Sequence, residues 1–259
     1  MMKRAVSALF ALVLCFSASA ASAHGMTYSW YCKHCENETV PPLDTQMSFI
    51  EKYGGCYVDH GASGQNKTIY LTFDAGYENG NVEKILDTLR EKGVKGSFFI
   101  LENIAKRNPE LVKRMADDGH LVCNHTAIHR DMTTVTSYEE FVSELDRLND
   151  AVKENTGVTV AKYFRPPEGR FTEETLKWAD EAGYKTVFWS FAYADWDNNR
   201  QPEPKSAIEK ILRGAHPGEI LLLHPTSSTN AAILAELIDK LGERGYVFKT
   251  LDQLGCDRA

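Results

Sequence analysis

The sequence predicts an α/β protein built on a parallel sheet, either a barrel or a doubly wound sheet, and three observations carry that expectation. Seven short β-rich runs alternate with helical stretches over about 190 residues from Lys67 onward. Gly93, Gly119, Gly157, Gly183 and Gly245 stand where helical periodicity stops, as C-terminal caps do. Strand–helix–strand units of this length cross over right-handedly and place successive strands parallel.

The elements follow in order. Met1–Arg4 carry Lys3 and Arg4, an apolar run extends from Ala5 to Phe16, and Ala21-Ser22-Ala23 completes a secretory signal cut after Ala23. The run is shorter than the ~20 residues of a membrane-spanning helix, bulky Leu14 before Cys15 argues against a lipoprotein, and no later stretch is apolar enough to span. An exported protein of the cell wall, spore cortex or extracellular space is expected. Residues 24–66 read as an irregular leader with one short helix at Thr45–Tyr53, and residues 67–256 as the domain. Within it the expected strands are Thr68–Phe73, Gly96–Ile100, Leu121–Asn124, Ala161–Phe164, Lys185–Ser190, Glu219–Leu223 and Tyr246–Lys249. The expected helices are Val82–Lys92, Pro109–Asp118, a long one opened by the Ser137-x-x-Glu140 capping box and closed by Gly157, Thr172–Ala182, Pro204–Arg213 and Asn230–Arg244.

Composition sets outer bounds. With 43% hydrophobic and 25% charged residues in 259, the chain has material for one sizeable core. The net charge of −7, which becomes −9 without Lys3 and Arg4, lacks the basic surplus of a phosphate-backbone binder, so no nucleic-acid partner is expected. Of six cysteines, Cys15 leaves with the signal. Disulfides are expected among Cys32, Cys35, Cys56 and Cys256, with the pairing open, and Cys123 is expected as a buried free thiol. Cys32-Lys33-His34-Cys35 looks like half a zinc site, but no second half follows nearby.

Reactive side chains gather at the strand ends. Asp74 follows the first strand, His125 and His129 the third, Arg165 the fourth, Asp195 the fifth and His224 the sixth. In a parallel barrel the carboxyl ends of all strands meet on one face, so these residues would converge into a hydrolytic constellation. Singly each has a plainer reading. Asp74 would cap a turn, His224 would be a core histidine, and Tyr77 and Trp196 would be packing residues, although aromatics at a barrel mouth also suit the apolar face of a sugar. His125 and His129 stand at i,i+4, a spacing that lets two imidazoles share a divalent cation.

Thr72-Phe-Asp-Ala-Gly-Tyr-Glu-Asn-Gly80, His125-Thr-Ala-Ile-His129, Arg165-Pro-Pro-Glu-Gly169, Asp195-Trp196 and Leu222-Leu-His224 resemble the five ordered motifs of the polysaccharide deacetylases, the nodulation-protein-B-like family 4 carbohydrate esterases. The resemblance spans Lys67 to Leu254. The stretches Val187-Phe-Trp-Ser190 and Ala215-His-Pro-Gly218 are most similar to the branch that deacetylates N-acetylmuramic acid in peptidoglycan for δ-lactam formation in spore cortex. The resemblance implies a distorted (β/α)7 barrel. It implies Asp74 as general base, His224 as general acid, Arg165 orienting and ionising Asp74, and Asp195 holding His224 and raising its pKa. His125 and His129 would hold a divalent metal, with the Glu168 backbone N–H helping at the oxyanion and Tyr77, Glu168, Trp196 and Leu222 contacting substrate. Most members carry a metal-ligating Asp at the position of Ala75, so a zinc-like ion is expected but weakly held. Many members carry Tyr at the position of Glu168, which touches specificity rather than chemistry. The expected protein is a monomeric enzyme acting on peptidoglycan glycan strands. The alternatives are a deacetylase of N-acetylglucosamine polymers and a catalytically silent glycan-binding protein.

Overall fold

The computed structural model describes residues 25–255, so the expected signal segment and Cys256 lie outside it. The strands in chain order are β1 (Tyr28–Ser29), β2 (Thr68–Ala75), β3 (Ser97–Ile100), β4 (Leu121–Asn124), β5 (Ala161–Phe164), β6 (Arg170–Phe171), β7 (Lys185–Thr186), β8 (Glu219–Leu223) and β9 (Val247–Lys249). The α-helices are α1 (Val82–Lys92), α2 (Glu102–Arg107), α3 (Pro109–Asp117), α4 (Tyr138–Thr156), α5 (Glu173–Glu181), α6 (Pro204–Gly214) and α7 (Ser228–Glu243).

Seven strands form one curled parallel sheet in the order β7-β5-β4-β3-β2-β8, with β9 also paired to β2. The curled sheet serves two different layers, because successive side chains along a strand point to opposite faces. On β2, Ile69, Leu71, Phe73 and Ala75 belong to the outer core with Val82, Ile85, Leu86 and Leu89 of α1. Tyr70, on the opposite face, packs inside with Phe99 of β3, Cys123 of β4 and Ile220 of β8. Thr72 and Asp74 share that inner face by alternation.

The seam between β7 and β8 is closed in two halves. Toward the carboxyl end, Phe191 bridges Leu221 in parallel, and the Leu222 N–H donates to the Phe191 carbonyl at 2.9 Å. Toward the amino end the leader fills the gap, with Cys56 bridging Val187 and Val58 bridging Glu219. Gly218 permits this crossing. It sits at φ 78°, and a Cβ there would lie 2.2 Å from the Asp59 carbonyl oxygen. The barrel implied by the sequence motifs is present, distorted at this seam.

Several expectations change. Lys185–Ser190 was expected to be a strand throughout, but only Lys185–Thr186 joins the ladder, because after the Val187 N–H donates to the Phe164 carbonyl at 2.8 Å the chain turns from β5 to meet Cys56 and then β8. Helix α2 was not expected at all. The leader is more ordered than irregular. A 3-10 helix spans Thr45–Tyr53, capped by Asp44, and β1 pairs antiparallel with β6. Cys32 and Cys35 carry free thiols, which removes both from the expected disulfides. Cys32 sits against the Ala192 backbone, and burial pushes its thiol up to about 11. Cys123 is a wholly buried free thiol, as expected.

Candidate active site

The carboxyl ends of the strands surround a cleft of about 650 Å³. Asp74, Tyr77, His125, His129, Glu168, Trp196, Leu222 and His224 all line it, so eight of the ten expected site residues meet in one place. The other two, Arg165 and Asp195, are 0% and 1% exposed and stand behind the lining. Tyr77 and Trp196 remain open to solvent at the rim.

Asp74 and Arg165 form one half of the site. Arg165, at the end of β5, donates from Nη1 to Asp74 Oδ1 at 2.7 Å and from Nη2 to Thr72 Oγ1 at 2.9 Å. Its Nε donates to the Val187 carbonyl at 3.1 Å, and Nη2 also reaches the Phe188 carbonyl at 3.3 Å. The guanidinium lies 4.1 Å from the centroid of Phe99. A wholly buried cation is tolerated here because its donors are met by fixed oxygens and Asp74 supplies the counter-charge. Burial by itself would raise the Asp74 pKa, but the charges of Arg165, His125 and His224 outweigh it and hold the carboxyl below its ordinary value.

His224 and Asp195 form the other half. The imidazole Nδ1 donates to Asp195 Oδ1 at 2.7 Å, and the His224 backbone N–H donates to Asp195 Oδ2 at 2.8 Å. Burial acts to lower the His224 pKa, yet the hydrogen bond to Asp195 and the charges of Asp195 and Asp74 prevail and raise it. With Nδ1 committed to Asp195, Nε2 is the ring nitrogen left for proton exchange.

The sequence reading missed Asn230, whose Nδ2 donates to Asp195 Oδ2 at 2.6 Å and to the His224 carbonyl at 3.0 Å. Tyr193 in turn donates to Asn230 Oδ1. Asn230 was assigned as the start of a helix, a position where asparagine is ordinary. In fact α7 begins at Ser228 under a Ser227 cap, and Asn230 turns back toward the site.

The two histidines meet on a loop. Within residues 125–131, Thr126 at φ 70° and His129 at φ 61° are both left-handed. That winding brings the two rings to 5.0 Å between centroids, nearly perpendicular. His125 Nδ1 donates to the Arg165 carbonyl at 2.9 Å, which leaves Nε2 with its lone pair 3.5 Å from Asp74 Oδ2. Burial pushes the His125 pKa down to about 4, so the ring stays neutral. Such a donor set fits a borderline divalent ion at two nitrogens. Among the described residues no three His, Cys, Asp or Glu side chains converge as a cage. Ala75 adds no ligand.

The family model for polysaccharide deacetylase matches residues 61–187. The peptidoglycan-N-acetylmuramic acid deacetylase PdaA of Bacillus subtilis is 43% identical over 227 residues, covering 87% of this chain and 85% of that protein. The solved structure of B. subtilis PdaA, described as a family 4 carbohydrate esterase, superposes with a TM-score of 0.83 at 42% identity, covering 88% of this chain and 96% of that one. A peptidoglycan-N-acetylglucosamine deacetylase of Bacillus cereus is 31% identical over 215 residues, covering 81% of this chain and 75% of its own. With the barrel, the Asp74–Arg165 and His224–Asp195 pairs facing one cleft and these likenesses in agreement, the chain belongs to the polysaccharide deacetylase family, the family 4 carbohydrate esterases.

Proposed function

We propose that this protein is an exported hydrolase that removes the N-acetyl group from N-acetylmuramic acid in peptidoglycan, for muramic δ-lactam formation in spore cortex. The observation that carries the reading is the pair of oppositely tuned groups across one cleft. Asp74 is held anionic beside Arg165, and His224 is held toward protonation beside Asp195. An acid and a base with separated pKa values are what amide hydrolysis needs. Asp74 accepts a proton from water as its oxygen adds to the acetamide carbonyl. His224 Nε2–H then protonates the sugar nitrogen as the C–N bond breaks, giving acetate and a free amine. The backbone N–H of Glu168 serves the developing oxyanion. His125 and His129 would hold a divalent ion, and such an ion would supply Lewis-acid polarisation of the carbonyl.

Likeness to the B. subtilis enzyme favours the muramic sugar, and likeness to the B. cereus enzyme supports N-acetylglucosamine polymers as the second reading. Acetate release from glycan strands stripped of stem peptides tests the proposal. Mass spectrometry of the digested product separates the two sugars, since only muramic acid can close a lactam with its lactyl group. No acetate, with or without added Zn²⁺, would overturn both.

A further inference from the structure

We propose that Trp30, in the leader, is a positioning residue for the cleft, gripping both the loop that carries Glu168 and the segment that carries Trp189. The proposal rests on the deacetylase reading for its consequence and on contacts alone for its geometry. Trp30 lies upstream of the family match, which begins at residue 61. Its backbone N–H donates to the Gly169 carbonyl at 2.8 Å, extending the β1–β6 pairing by one residue into the loop at the cleft wall. Its indole Nε1 donates to the Trp189 carbonyl at 2.9 Å, and its rings stack on Phe188 at 4.4 Å and 23°. A single buried residue therefore joins two cleft-lining segments about twenty residues apart in the chain, holding one through its backbone N–H and the other through its indole.

Both segments need holding. Glu168 sits at φ 55° and Gly169 at φ 65°, two successive left-handed residues, and the first is a conformation that a glutamate does not favour unaided. Contact at Gly169 is close enough that an added Cβ would lie 2.9 Å from the Trp30 Cβ and 2.9 Å from the Trp189 ring. On the other side, the Val187 and Phe188 carbonyls accept from Arg165, so the segment under the indole also fixes the cation beside Asp74. Trp30 thereby sets the Glu168 N–H and the Arg165–Asp74 pair relative to each other without touching substrate.

The test uses the full-length protein and compares the wild type with three variants in parallel. On peptide-stripped glycan strands, Trp30→Ala lowers kcat about 10²-fold while KM moves far less, the scale on which small misplacements act. Trp30→Phe keeps the stack, drops the Nε1 bond and loses about tenfold. Ile50→Ala opens a cavity in the same leader cluster and lowers the melting temperature with kcat per folded molecule retained. Hydrogen exchange of residues 167–171 quickens in Trp30→Ala and stays at the wild-type rate in Ile50→Ala. Equal kcat in Trp30→Phe and wild type, or exchange unchanged in both Trp30 variants, overturns the proposal. If Trp30→Ala does not fold, Trp30→Phe decides. If the wild type releases no acetate, the functional reading fails, and the exchange rates alone decide whether Trp30 holds the loop.

Discussion

Replacing Arg165 with methionine isolates what the buried cation does. Arg165 is wholly buried, and the Asp74 side chain is 9% exposed. Deleting one partner of a buried ion pair leaves the other charge uncompensated, at a cost of about 3–5 kcal/mol. Methionine retains apolar contact over Phe99, and the Thr72 hydroxyl keeps its bond to the Leu221 carbonyl at 2.9 Å, so the lost charge partner dominates. Against a total stability of order 5–15 kcal/mol, Arg165→Met folds but is strongly weakened. The pH dependence supplies the sharper signature. In the wild type the Asp74 pKa is depressed on folding, so its contribution is present above the unfolded carboxylate value of about 3.9 and is lost as pH falls through the folded value. Without Arg165, burial dominates and the folded pKa rises, so the slope reverses and Arg165→Met gains stability as pH falls from neutral. Urea denaturation of chelator-treated protein between pH 4 and 8 measures both. A loss under about 1 kcal/mol, or parallel pH profiles for variant and wild type, would refute the claim that Arg165 is the counter-charge of Asp74.

Other substitutions probe the remaining parts. Asp74→Asn keeps the shape and removes the base, so acetate release per folded molecule falls by at least the roughly 10²–10⁴-fold typical of general-base loss, and the melting temperature also drops because buried Arg165 loses its counter-charge; near-normal turnover would remove Asp74 from that role. Asp195→Asn deletes the charge that raises the His224 pKa, so the alkaline limb of the kcat/KM profile moves to lower pH, and an unmoved limb would separate His224 from Asp195. Ala75→Asp places a carboxylate at a wholly buried position, so it lowers the melting temperature in chelator and recovers it with Zn²⁺; calorimetry that shows unchanged affinity would exclude that position from ligation. Glu219, at the start of β8, is pushed by burial to about 8, above its unfolded value of about 4.3, so wild-type stability falls as pH rises between those values. Glu219→Gln flattens that slope in thermal melts, and a persistent slope would point to another group.

The strand-end residues were legible because each sits beside a β-rich run whose carboxyl end the topology directs to one face. Arg165 could be read this way, although its complete burial could not. The seam was not legible, since Val187 to Phe191 look like continuous strand, and only the tertiary crossing of Cys56–Asp59 explains their departure from the ladder. Helix α2 was hidden because it follows β3 after one residue, with no turn signal before Asn108-Pro109. The i,i+4 spacing made the pairing of His125 and His129 legible, but not the left-handed backbone at Thr126 and His129 that brings the rings together. Trp30 and Asn230 act through partners distant in sequence, one in a leader without periodicity and one in an ordinary helix start, so nothing local marked them.

The place of β2 in the sheet governs the order in which the molecule can be assembled. One edge of β2 meets β3 only about twenty-five residues downstream, but its other edge waits for β8 and its first three residues for β9, at Val247–Lys249. A chain emerging amino end first therefore carries Asp74 on a half-paired strand through almost all of its synthesis. Pairings this remote in sequence make for slow folding and a long interval of exposed strand edge. Removing the last thirteen residues, from Val247 on, should accordingly do more than trim a tail; it would leave β2 without its final neighbour.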